Sequence, residues 1–418
     1  MKKVLVLVGE HMSANGICAD AVMQELKSNG CEVDLITNQE YQVPKFEKNN
    51  GIKIKRIKPR LTYRMDSWCT NNKVPMSRIL SKISYLLNKA KLFISIPTWP
   101  LVSPLYSYRF YKAAKSAYIR NEYDCIISVY TQIDTVIAGY LIKRKYPNVK
   151  FVPYFLDSLS GGIGPKIFSR NWTIRRGMKW ERRLLKYADK IIMMESSRKH
   201  HEVFSKSESY FPRIKFLDIP LLTQKHEVEG TSEILEKDKI NLVYVGSLPH
   251  HIRNPQYLLE IFKRLRIKDC VLTIIGTSTC NNMLENYQNE SKKNKIVIIN
   301  KIPHEEALKV LKNADVLINI GNNINSMVPS KIFEYMSIGK PIISTYPIED
   351  EPSKKYLKDY PLSLLVKEDW NWIDKNVVKV ENFIKDSRNH RVATEDLMVK
   401  MYRNTPQSFV EEIKKVFR

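Results

Sequence analysis

The sequence predicts an α/β protein with two doubly wound parallel sheets in tandem. Its 418 residues are too many for one hydrophobic core, so two domains are expected. Short apolar runs alternate with helical patterns along the chain, and this order favours parallel strands joined by helices. Many of the runs end in glycine or a small polar residue, as strands that lead into tight loops do. The polar stretch at 223–238 divides the two predicted domains.

The first half begins with a strand–loop–helix–strand unit. Residues 4–8 form an apolar run suited to a strand buried on both faces, and residues 32–37 form a second strand. A polar loop with Asn15-Gly16 lies between them, and a helical pattern begins at Ala19. This Rossmann-like unit lacks the full Gly-x-Gly-x-x-Gly pattern, so no dinucleotide site is expected. Further strands are predicted at 125–129, 151–155, 190–194, 216–220, 240–246, 271–276, 295–299, 316–321 and 342–345.

The composition is that of an ordinary soluble protein with a surplus of positive charge. The chain is 43% hydrophobic and 27% charged, while its net charge is +24. Such a surplus favours a polyanionic partner, such as nucleic acid, an anionic membrane or an acidic substrate, although a lysine-rich genome would also produce it. The cysteines lie far apart without metal-ligand spacing, and no apolar run approaches the ~20 residues of a membrane span. A reduced cytoplasmic protein without a transmembrane helix is therefore predicted.

The segment at 85–118 mixes aromatic and aliphatic residues, among them Trp99, with basic residues such as Lys89 and Arg109. This mixture suits a membrane interface, where rings and basic side chains meet the lipid headgroups. Prolines at 97, 100 and 104 exclude one continuous helix. Two interpretations remain open: contact with an anionic membrane, or two core helices joined by a proline turn.

The stretch at 328–343 carries the most chemical information. It predicts a helix that begins at Pro329, where proline is favoured, and ends at a Gly-Lys-Pro turn. Ser330 and Lys331 would then lie in the first turn, where free N–H groups, the helix dipole and a cation favour a bound phosphate. Glu334, one turn further, would accept the two hydroxyls of a ribose. The pattern therefore indicates a nucleotide diphosphate site.

This stretch resembles the nucleotide-sugar signature of retaining glycosyltransferases of family 4, which have the GT-B fold of two Rossmann-like domains facing a cleft. Many members carry two glutamates separated by seven residues, followed by a small-residue–Gly–Lys–Pro turn. Glu334 is the second of them, whereas Ser326 stands in place of the first, as in a variant subgroup that reads Pro-Ser-Lys-x-x-Glu-Tyr-Met. The resemblance implies an acceptor domain at 1–222, a donor domain at 223–404, and a terminal helix at 405–418 that packs back on the first domain.

The resemblance also implies which residues act. Arg253 and Lys331 would clamp the diphosphate, whose charge grows as it leaves the sugar. Glu334 would bind the ribose, and Asp157 would place the acceptor hydroxyl or the donor sugar, although a turn cap fits Asp157 equally well. Family members generally need no metal, and the two adjacent His-His pairs lack metal-ligand spacing, so no metal and no cofactor are expected. Donor contacts are expected from Gly16, Gly246, Ser247, Gly276, Thr277, Ile302, Asn325, Ser326 and Ser330.

The predicted function is therefore a retaining glycosyltransferase. It would move a sugar from a nucleotide diphosphate donor to a polysaccharide or lipid-linked oligosaccharide, in the cytoplasm or on the inner face of the cell membrane. One alternative is a GT-B-like sugar-nucleotide epimerase, but that chemistry needs cleft acids and histidines to move protons, and acids are sparse near Ser326. The non-enzymatic alternative is a nucleic-acid-binding protein. Because the positive charge is spread along the chain instead of concentrated on one helix, no nucleic-acid partner is expected.

Overall fold

A computed structural model describes residues 1–11, 13–72, 74–162, 164–165, 167–223, 230–291, 293–324 and 328–418. The chain forms two compact units, one of Met1–Pro220 with Pro406–Arg418 and the other of Leu221–Thr405. Each unit is built on one predominantly parallel sheet with connecting helices. The predicted α/β class with two Rossmann-like sheets is confirmed.

The first unit has an eight-stranded sheet in which strands in the interior are covered on both faces. Its strands are β1 (Lys3–Val8), β2 (Glu32–Asn38), β3 (Phe46–Asn49), β4 (Ile52–Ile57), β5 (Cys125–Tyr130), β6 (Lys150–Phe155), β7 (Ile191–Met194) and β8 (Ile214–Leu217). The order across the sheet is β3-β4-β2-β1-β5-β6-β7-β8, and β3 is antiparallel to β4. Since β1 lies between β2 and β5 and is buried from Val4 to Val8, its sequence is an unbroken apolar run. The helices of this part of the chain are α1 (Ala14–Ser28), α2 (Leu61–Asn71), α3 (Pro75–Ile94), α4 (Pro104–Asn121), α5 (Ile133–Lys145), α6 (Arg170–Leu185) and α7 (Arg198–Phe204).

The second unit has a six-stranded parallel sheet. Its strands are β9 (Ile240–Val245), β10 (Cys270–Ile275), β11 (Lys295–Ile299), β12 (Val316–Ile320), β13 (Ile342–Tyr346) and β14 (Ser363–Lys367). Their order is β11-β10-β9-β12-β13-β14, so the chain reverses its direction of winding between β9 and β12. In doubly wound sheets ligands bind at such a switch point, beyond the carboxyl ends of the strands. The helices are α8 (Gln256–Arg264), α9 (Asn281–Glu290), α10 (His304–Asn313), α11 (Lys331–Ile338), α12 (Ser353–Leu357), α13 (Ile373–Ser387) and α14 (Thr394–Lys400).

The last helix, α15 (Pro406–Phe417), belongs to the first unit. Phe409 and Ile413 are buried in the core that β1 and α1 also line. The ring of Phe409 lies 4.6 Å from that of Tyr154 on β6. Glu412 forms an ion pair with Lys190, at the start of β7. Apolar packing and a partly buried ion pair therefore fix α15 to a sheet whose strands precede it by nearly half the chain or more.

Helix α1 begins earlier than the sequence predicted. It starts at Ala14 instead of Ala19, because the Oγ of Ser13 caps it by accepting the N–H of Gly16 at 3.1 Å. Gly16 therefore lies in the first helical turn, and the prediction of a loop at this residue is wrong. A Cβ at this position would lie 1.8 Å from the carbonyl oxygen of His11, so only glycine fits.

The aromatic and basic segment at 85–118 spans two helices with different surroundings. α4 packs on the core of the first unit through Tyr106 and Phe110, which are buried. α3 instead exposes its large apolar side chains, since Phe93 is 62% exposed and Ile94 is 80% exposed. The interpretation of two core helices is therefore wrong for α3, although it holds for α4.

Trp99 does not lie at a membrane-facing surface. It is buried beside Trp172, with ring centroids 5.5 Å apart, and its carbonyl oxygen accepts the indole N–H of Trp180 at 3.1 Å. The expectation that Trp99 belongs to an exposed aromatic face is therefore wrong. Within the described part of the chain, no helix is both long enough and apolar enough to cross a membrane.

Candidate functional site

The carboxyl ends of β9 and β10 meet through two glycines. Gly246 follows β9 and donates its N–H to the carbonyl of Ile275 at 2.9 Å, while Gly276 follows β10. Gly276 has φ +143°, and a Cβ there would lie 2.0 Å from the carbonyl oxygen of Gly246. Thr277 continues the contact by accepting the N–H of Leu248 at 2.8 Å. These glycines therefore let two loops run side by side at the switch-point edge of the sheet.

Arg253 lies across the ends of β9 and β12. Its Nε donates to Oδ1 of Asn322 at 2.6 Å, and its Nη1 donates to the carbonyl of Ser247 at 3.3 Å. Asn322 is completely buried and follows β12 by two residues. The guanidinium is thus held by two different loops at the edge where ligands bind. Its remaining N–H groups suit an anionic ligand such as a diphosphate.

Asn322 is itself held from the other side. Its backbone N–H donates to Oε1 of Glu351 at 3.2 Å, and Oε2 of Glu351 accepts the N–H of Ser353 at 2.9 Å. Burial raises the pKa of the Glu351 carboxyl, since the charged form loses water, although the hydrogen bonds oppose this effect. The chain from Glu351 through Asn322 fixes the orientation of Arg253.

Helix α11 brings Lys331 and Glu334 to the same edge. The helix begins at Lys331, two residues later than predicted, because Pro329 and Ser330 precede its first hydrogen-bonded turn. Its far end is Gly339, which has φ +76° and whose Cβ would lie 2.6 Å from the carbonyl oxygen of Val392. The phenol of Tyr335 anchors the helix to the end of β9 by accepting the N–H of Val245 at 2.9 Å.

Lys331 and Glu334 form an ion pair in the first turn of α11. Nζ of Lys331 lies 2.7 Å from Oε2 of Glu334. The side chain of Glu334 is only 3% exposed, whereas that of Lys331 is 26% exposed. Among the described residues, Ser330 forms no capping hydrogen bond through its hydroxyl. The pair therefore places a buried acceptor and an accessible cation at the start of the helix.

For the remaining predicted donor residues the structure gives a position in the fold at most. Ile302 follows β11, the edge strand next to β10. Asn325 and Ser326 lie outside the described residues. Asn322, which precedes them in the same segment, accepts the hydrogen bond from Nε of Arg253.

In the first unit, Asp157 lies near the start of α1. Its Oδ2 accepts an N–H of the Asn15 amide at 3.3 Å, next to Gly16. Asp157 follows β6 and Asn15 lies in the first turn of α1, which follows β1, so the contact joins the carboxyl ends of two strands that have β5 between them. This is the edge where α/β sheets bind ligands, and the role of Asp157 stays a prediction.

Sequence reasoning missed a polar cluster behind Asp157. Oγ of Ser158 lies 3.1 Å from Nε2 of His201, and Oγ of Ser160 lies 2.8 Å from Nε2 of His200. The carboxyl of Glu181 accepts the backbone N–H of Ser160 at 2.8 Å. Two adjacent histidines thus bind two serines of one loop, an arrangement that residue spacing alone did not indicate. No group of three or more metal-binding side chains occurs among the residues that the structure describes.

Burial shifts the pKa values in this cluster in opposite directions. It raises the pKa of Glu181 to about 7, against the hydrogen bonds that the carboxyl accepts from Ser160 and Tyr210. Burial and the neighbouring charge of His200 lower the pKa of His201 to about 3. His201 is therefore neutral near pH 7, and Glu181 exchanges its proton there. Both groups hold the loop that follows Asp157.

Glu181→Gln should flatten the pH dependence of stability. Because the folded-state pKa lies above the ordinary value of 4.5, the contribution of Glu181 is fully present below about pH 4.5 and is lost as pH rises through about 7. Glutamine resembles the protonated carboxyl, so the variant should match the parent at pH 5 and exceed its free energy of unfolding by about 1–3 kcal/mol at pH 8. Urea unfolding at both pH values measures the difference. A difference that does not change with pH would contradict the assignment.

A comparison with protein families identifies part of the second unit. Residues 228–393 match the family described as glycosyl transferases group 1. The match covers less than half of the chain, so this segment is similar to that family. It contains Arg253, Lys331 and Glu334. The predicted enzyme class is confirmed, whereas membership of family 4 and of its Pro-Ser-Lys variant subgroup stays a prediction.

Solved structures of other proteins share the fold along the whole chain. Sucrose-phosphate synthase from Thermosynechococcus elongatus is 13% identical, with a TM-score of 0.62 and coverage of 100% of this chain and 98% of that chain. The lipopolysaccharide outer core galactosyltransferase WaaB is 14% identical, with a TM-score of 0.52 and coverage of 100% and 99%. UDP-GlcNAc 2-epimerase from Methanocaldococcus jannaschii is 12% identical, with a TM-score of 0.54 and coverage of 99% and 100%. No curated protein matches the chain significantly by sequence.

These identities are low, so the likeness shows the fold alone. It confirms the GT-B fold that the sequence predicted. Both transferases and an epimerase are among the similar structures, and the fold therefore does not distinguish between these reactions.

Proposed function

We propose that the chain is a retaining glycosyltransferase that takes a nucleotide diphosphate sugar and glycosylates a polysaccharide or lipid-linked oligosaccharide. The observation that carries the proposal is Arg253, held by Asn322 and Ser247 at the switch-point edge of a segment similar to group 1 glycosyl transferases. A cation fixed before the reaction costs no reorganisation when charge develops on the leaving diphosphate.

Lys331 and Glu334 complete the proposed donor site. In the proposal, donor binding exchanges their mutual ion pair for two new contacts, one between Lys331 and the diphosphate and one between Glu334 and the ribose hydroxyls. The short side-chain separation of 2.7 Å supports this exchange, because both groups are already charged partners at the start of α11. Helix N–H groups and the helix dipole add to the attraction of a phosphate there. No metal or cofactor is required in this scheme.

A panel of nucleotide sugars tests the donor proposal. UDP-, GDP- and ADP-sugars are compared by thermal shift, and those that stabilise the chain are then assayed for hydrolysis and for transfer. We expect the sugars of one nucleotide to raise the melting temperature of the protein. Without an acceptor, we expect that donor to be hydrolysed slowly. Conversion of a UDP-sugar to its epimer, without release of nucleotide, would favour the epimerase instead. Absence of a shift with every donor would contradict the proposal.

We further propose that α3 docks on an anionic membrane near a lipid-linked acceptor. Ile79, Ile83, Leu86, Phe93 and Ile94 are exposed and share one face of the helix at three- and four-residue spacing. Exposed basic residues flank this face: Arg78, Lys82 and Lys89. An amphipathic helix of this kind lies in the plane of a bilayer surface, and the net charge of +24 favours an anionic leaflet.

Lys82→Gln with Lys89→Gln should weaken binding to vesicles that contain phosphatidylglycerol. Each basic side chain near such a surface contributes about 1 kcal/mol, and the attraction decays over a Debye length, so binding should also weaken as salt rises. Phe93→Ser with Ile94→Ser should remove the binding that persists at high salt, because apolar burial is not screened. Co-sedimentation with vesicles is the measurement.

The matched control is Lys48→Gln with Lys206→Gln, which removes the same charge from exposed positions outside α3. It should keep most of the vesicle binding. If the parent binds phosphatidylglycerol and phosphatidylcholine vesicles equally poorly at low salt, the membrane proposal is wrong. This result would not affect the donor proposal, which the nucleotide-sugar panel tests.

A further inference from the structure

A groove of about 1040 Å³ lies in the first unit between the end of β4, the segment that joins β2 to β3, and helices α2 and α4. We call it the basic groove. A single carboxylate, that of Glu40, is found among its described lining residues. Its volume is at the upper end for small-molecule sites, so it has room for more than one sugar ring. The cationic residues of its lining are Lys45, Lys55, Arg56, Lys58, Arg64, Arg109 and Lys112.

Among the described residues, most of these cations form no salt bridge with a carboxylate. Arg56 is the exception, because it pairs with Glu47 at 2.6 Å and donates to the carbonyl of Pro44 at 2.8 Å. Within the described residues, Lys58 and Lys112 form no salt bridge. Clustered like charges repel each other and favour a bound anion that neutralises them.

One cation of the groove is held in a fixed orientation. Nη1 of Arg109 donates to the carbonyl oxygens of Lys58 and Pro59, at 3.2 Å and 3.0 Å. These bonds tie α4 to the loop that follows β4 and leave other N–H groups of the guanidinium for a ligand. A side chain that is already ordered loses less entropy on binding, so Arg109 suits a phosphate.

The basic groove lies at the ligand-binding edge of the first sheet. Gln39, which lines it, follows β2, and Lys58 follows β4. β2 is the direct neighbour of β1, whose following loop leads to Asn15 and Gly16. Neighbouring strands are about 5 Å apart, so the groove opens near the start of α1, where Asn15 contacts Asp157.

Aromatic side chains share the groove with the cations. Tyr41, Tyr63 and Trp68 are all part of its lining. Such rings offer flat apolar faces against which the C–H face of a sugar packs, while their polar groups stay hydrogen-bonded. Burial, followed by the charges of Glu40 and Glu10, raises the pKa of Tyr63 and keeps it neutral. The groove therefore combines groups for an anion with groups for a sugar.

We propose that the basic groove binds the phosphate-bearing part of the acceptor, so that the acceptor is a glycan with a phosphate or diphosphate group. The phosphate would lie against Arg109, Lys58 and Lys112, with an adjacent sugar on Trp68. This inference rests on the glycosyl transfer proposed above and adds the chemical class of the acceptor. The phosphate belongs either to a soluble phosphorylated glycan or to the diphosphate of a lipid-linked one.

Titration calorimetry with inorganic pyrophosphate tests the anion site. The full chain should bind two pyrophosphate ions, one at the donor site and one in the groove. Lys58→Glu with Lys112→Glu should abolish the groove site or weaken it by at least about tenfold, while the donor site remains. Arg253→Ala with Lys331→Ala should remove the other site. Each pair of substitutions should remove one pyrophosphate site and leave the other. A wrong groove proposal and a wrong donor proposal therefore give different titration results.

The matched control is Lys48→Glu with Lys206→Glu, which makes the same change in net charge outside the groove. It should leave both pyrophosphate sites within about twofold of the parent affinity. If the control and the groove variant weaken binding equally, only the general field of the protein attracts the ion, and the proposal is overturned. Unchanged binding in the groove variant overturns it as well.

Two further probes separate the sources of the phosphate and test the sugar contact. Trehalose 6-phosphate is compared with trehalose in water, and phosphatidylcholine vesicles with a polyprenyl diphosphate are compared with vesicles without it. Tighter binding of trehalose 6-phosphate than of trehalose indicates a soluble acceptor. Tighter binding to vesicles with the polyprenyl diphosphate than to vesicles without it indicates a lipid-linked acceptor. Trp68→Ala should weaken binding of the preferred phosphorylated probe more than that of pyrophosphate if the probe has a sugar. Absence of preference for either phosphate overturns the proposal.

Discussion

Arg253→Ala should weaken the binding of nucleoside diphosphates by roughly 1.5–3 kcal/mol, the usual contribution of a charge-assisted hydrogen bond in a largely buried site. The guanidinium bonds Asn322 and Ser247, so its charge is in place before the ligand arrives. Lys331→Ala should have an effect of similar size, because it removes the cation at the start of α11. Calorimetric titration with UDP, GDP and ADP measures both changes.

Loss of Arg253 also removes the hydrogen bond that Oδ1 of the buried Asn322 accepts, so stability must be followed together with affinity. Arg253→Lys keeps the charge but loses the fork of donors, and it should bind with intermediate affinity. Arg264→Ala is the matched control, since Arg264 lies in α8 and forms salt bridges with Glu260 and Asp374. If Arg253→Ala and Lys331→Ala each bind UDP, GDP and ADP as tightly as the parent does, the donor site lies elsewhere.

Glu334→Ala should lower kcat/KM by roughly 10–100-fold while the fold remains intact, because the ribose would lose a charged acceptor. Glu334→Gln should have a smaller effect, since the amide keeps the shape and one acceptor but loses the charge. The Glu334 side chain is only 3% exposed, so its carboxylate needs a hydrogen-bond partner in place of water. In the free protein, Lys331 is that partner.

Glu306→Ala is the control for this experiment. Glu306 lies near the start of α10 and pairs weakly with Lys309, three residues further, at 3.7 Å. Steady-state kinetics with the donor found in the panel, together with melting curves, should show an effect for Glu334 and none for Glu306. Unchanged kcat/KM in Glu334→Ala, with normal melting, would leave Glu334 with a purely structural role.

The interior strands were predictable because both faces of each are covered. β1 is apolar from Val4 to Val8, and β5, β9 and β12 are each apolar except for one polar residue, so these runs are visible in sequence. β4 was not predicted, because Ile52–Ile57 alternates isoleucine with lysine and arginine beside the antiparallel edge strand β3. A half-exposed strand near an edge has too weak an apolar signal to be separated from a loop.

The candidate site was predictable only where its chemistry lies within one short segment. Lys331 and Glu334 are three residues apart, and the surrounding pattern located them, although their roles stay predictions. The partners of Arg253 and His201 come from residues that are distant in sequence, such as Asn322 and Ser158. Contacts of this kind depend on how the strands are ordered in the sheet, and residue spacing does not reveal that order.

The position of α15 has a consequence for biosynthesis. The ribosome makes Phe409 and Ile413 only after the whole of Leu221–Thr405, yet these residues fill the core of the unit that begins at Met1. A nascent chain that stops short of Pro406 therefore exposes an apolar surface over β1 and α1, where chaperones and proteases act. The second unit, in contrast, has all of its strands before α15 emerges. We therefore expect it to acquire its native structure first, although it is the second to be synthesised.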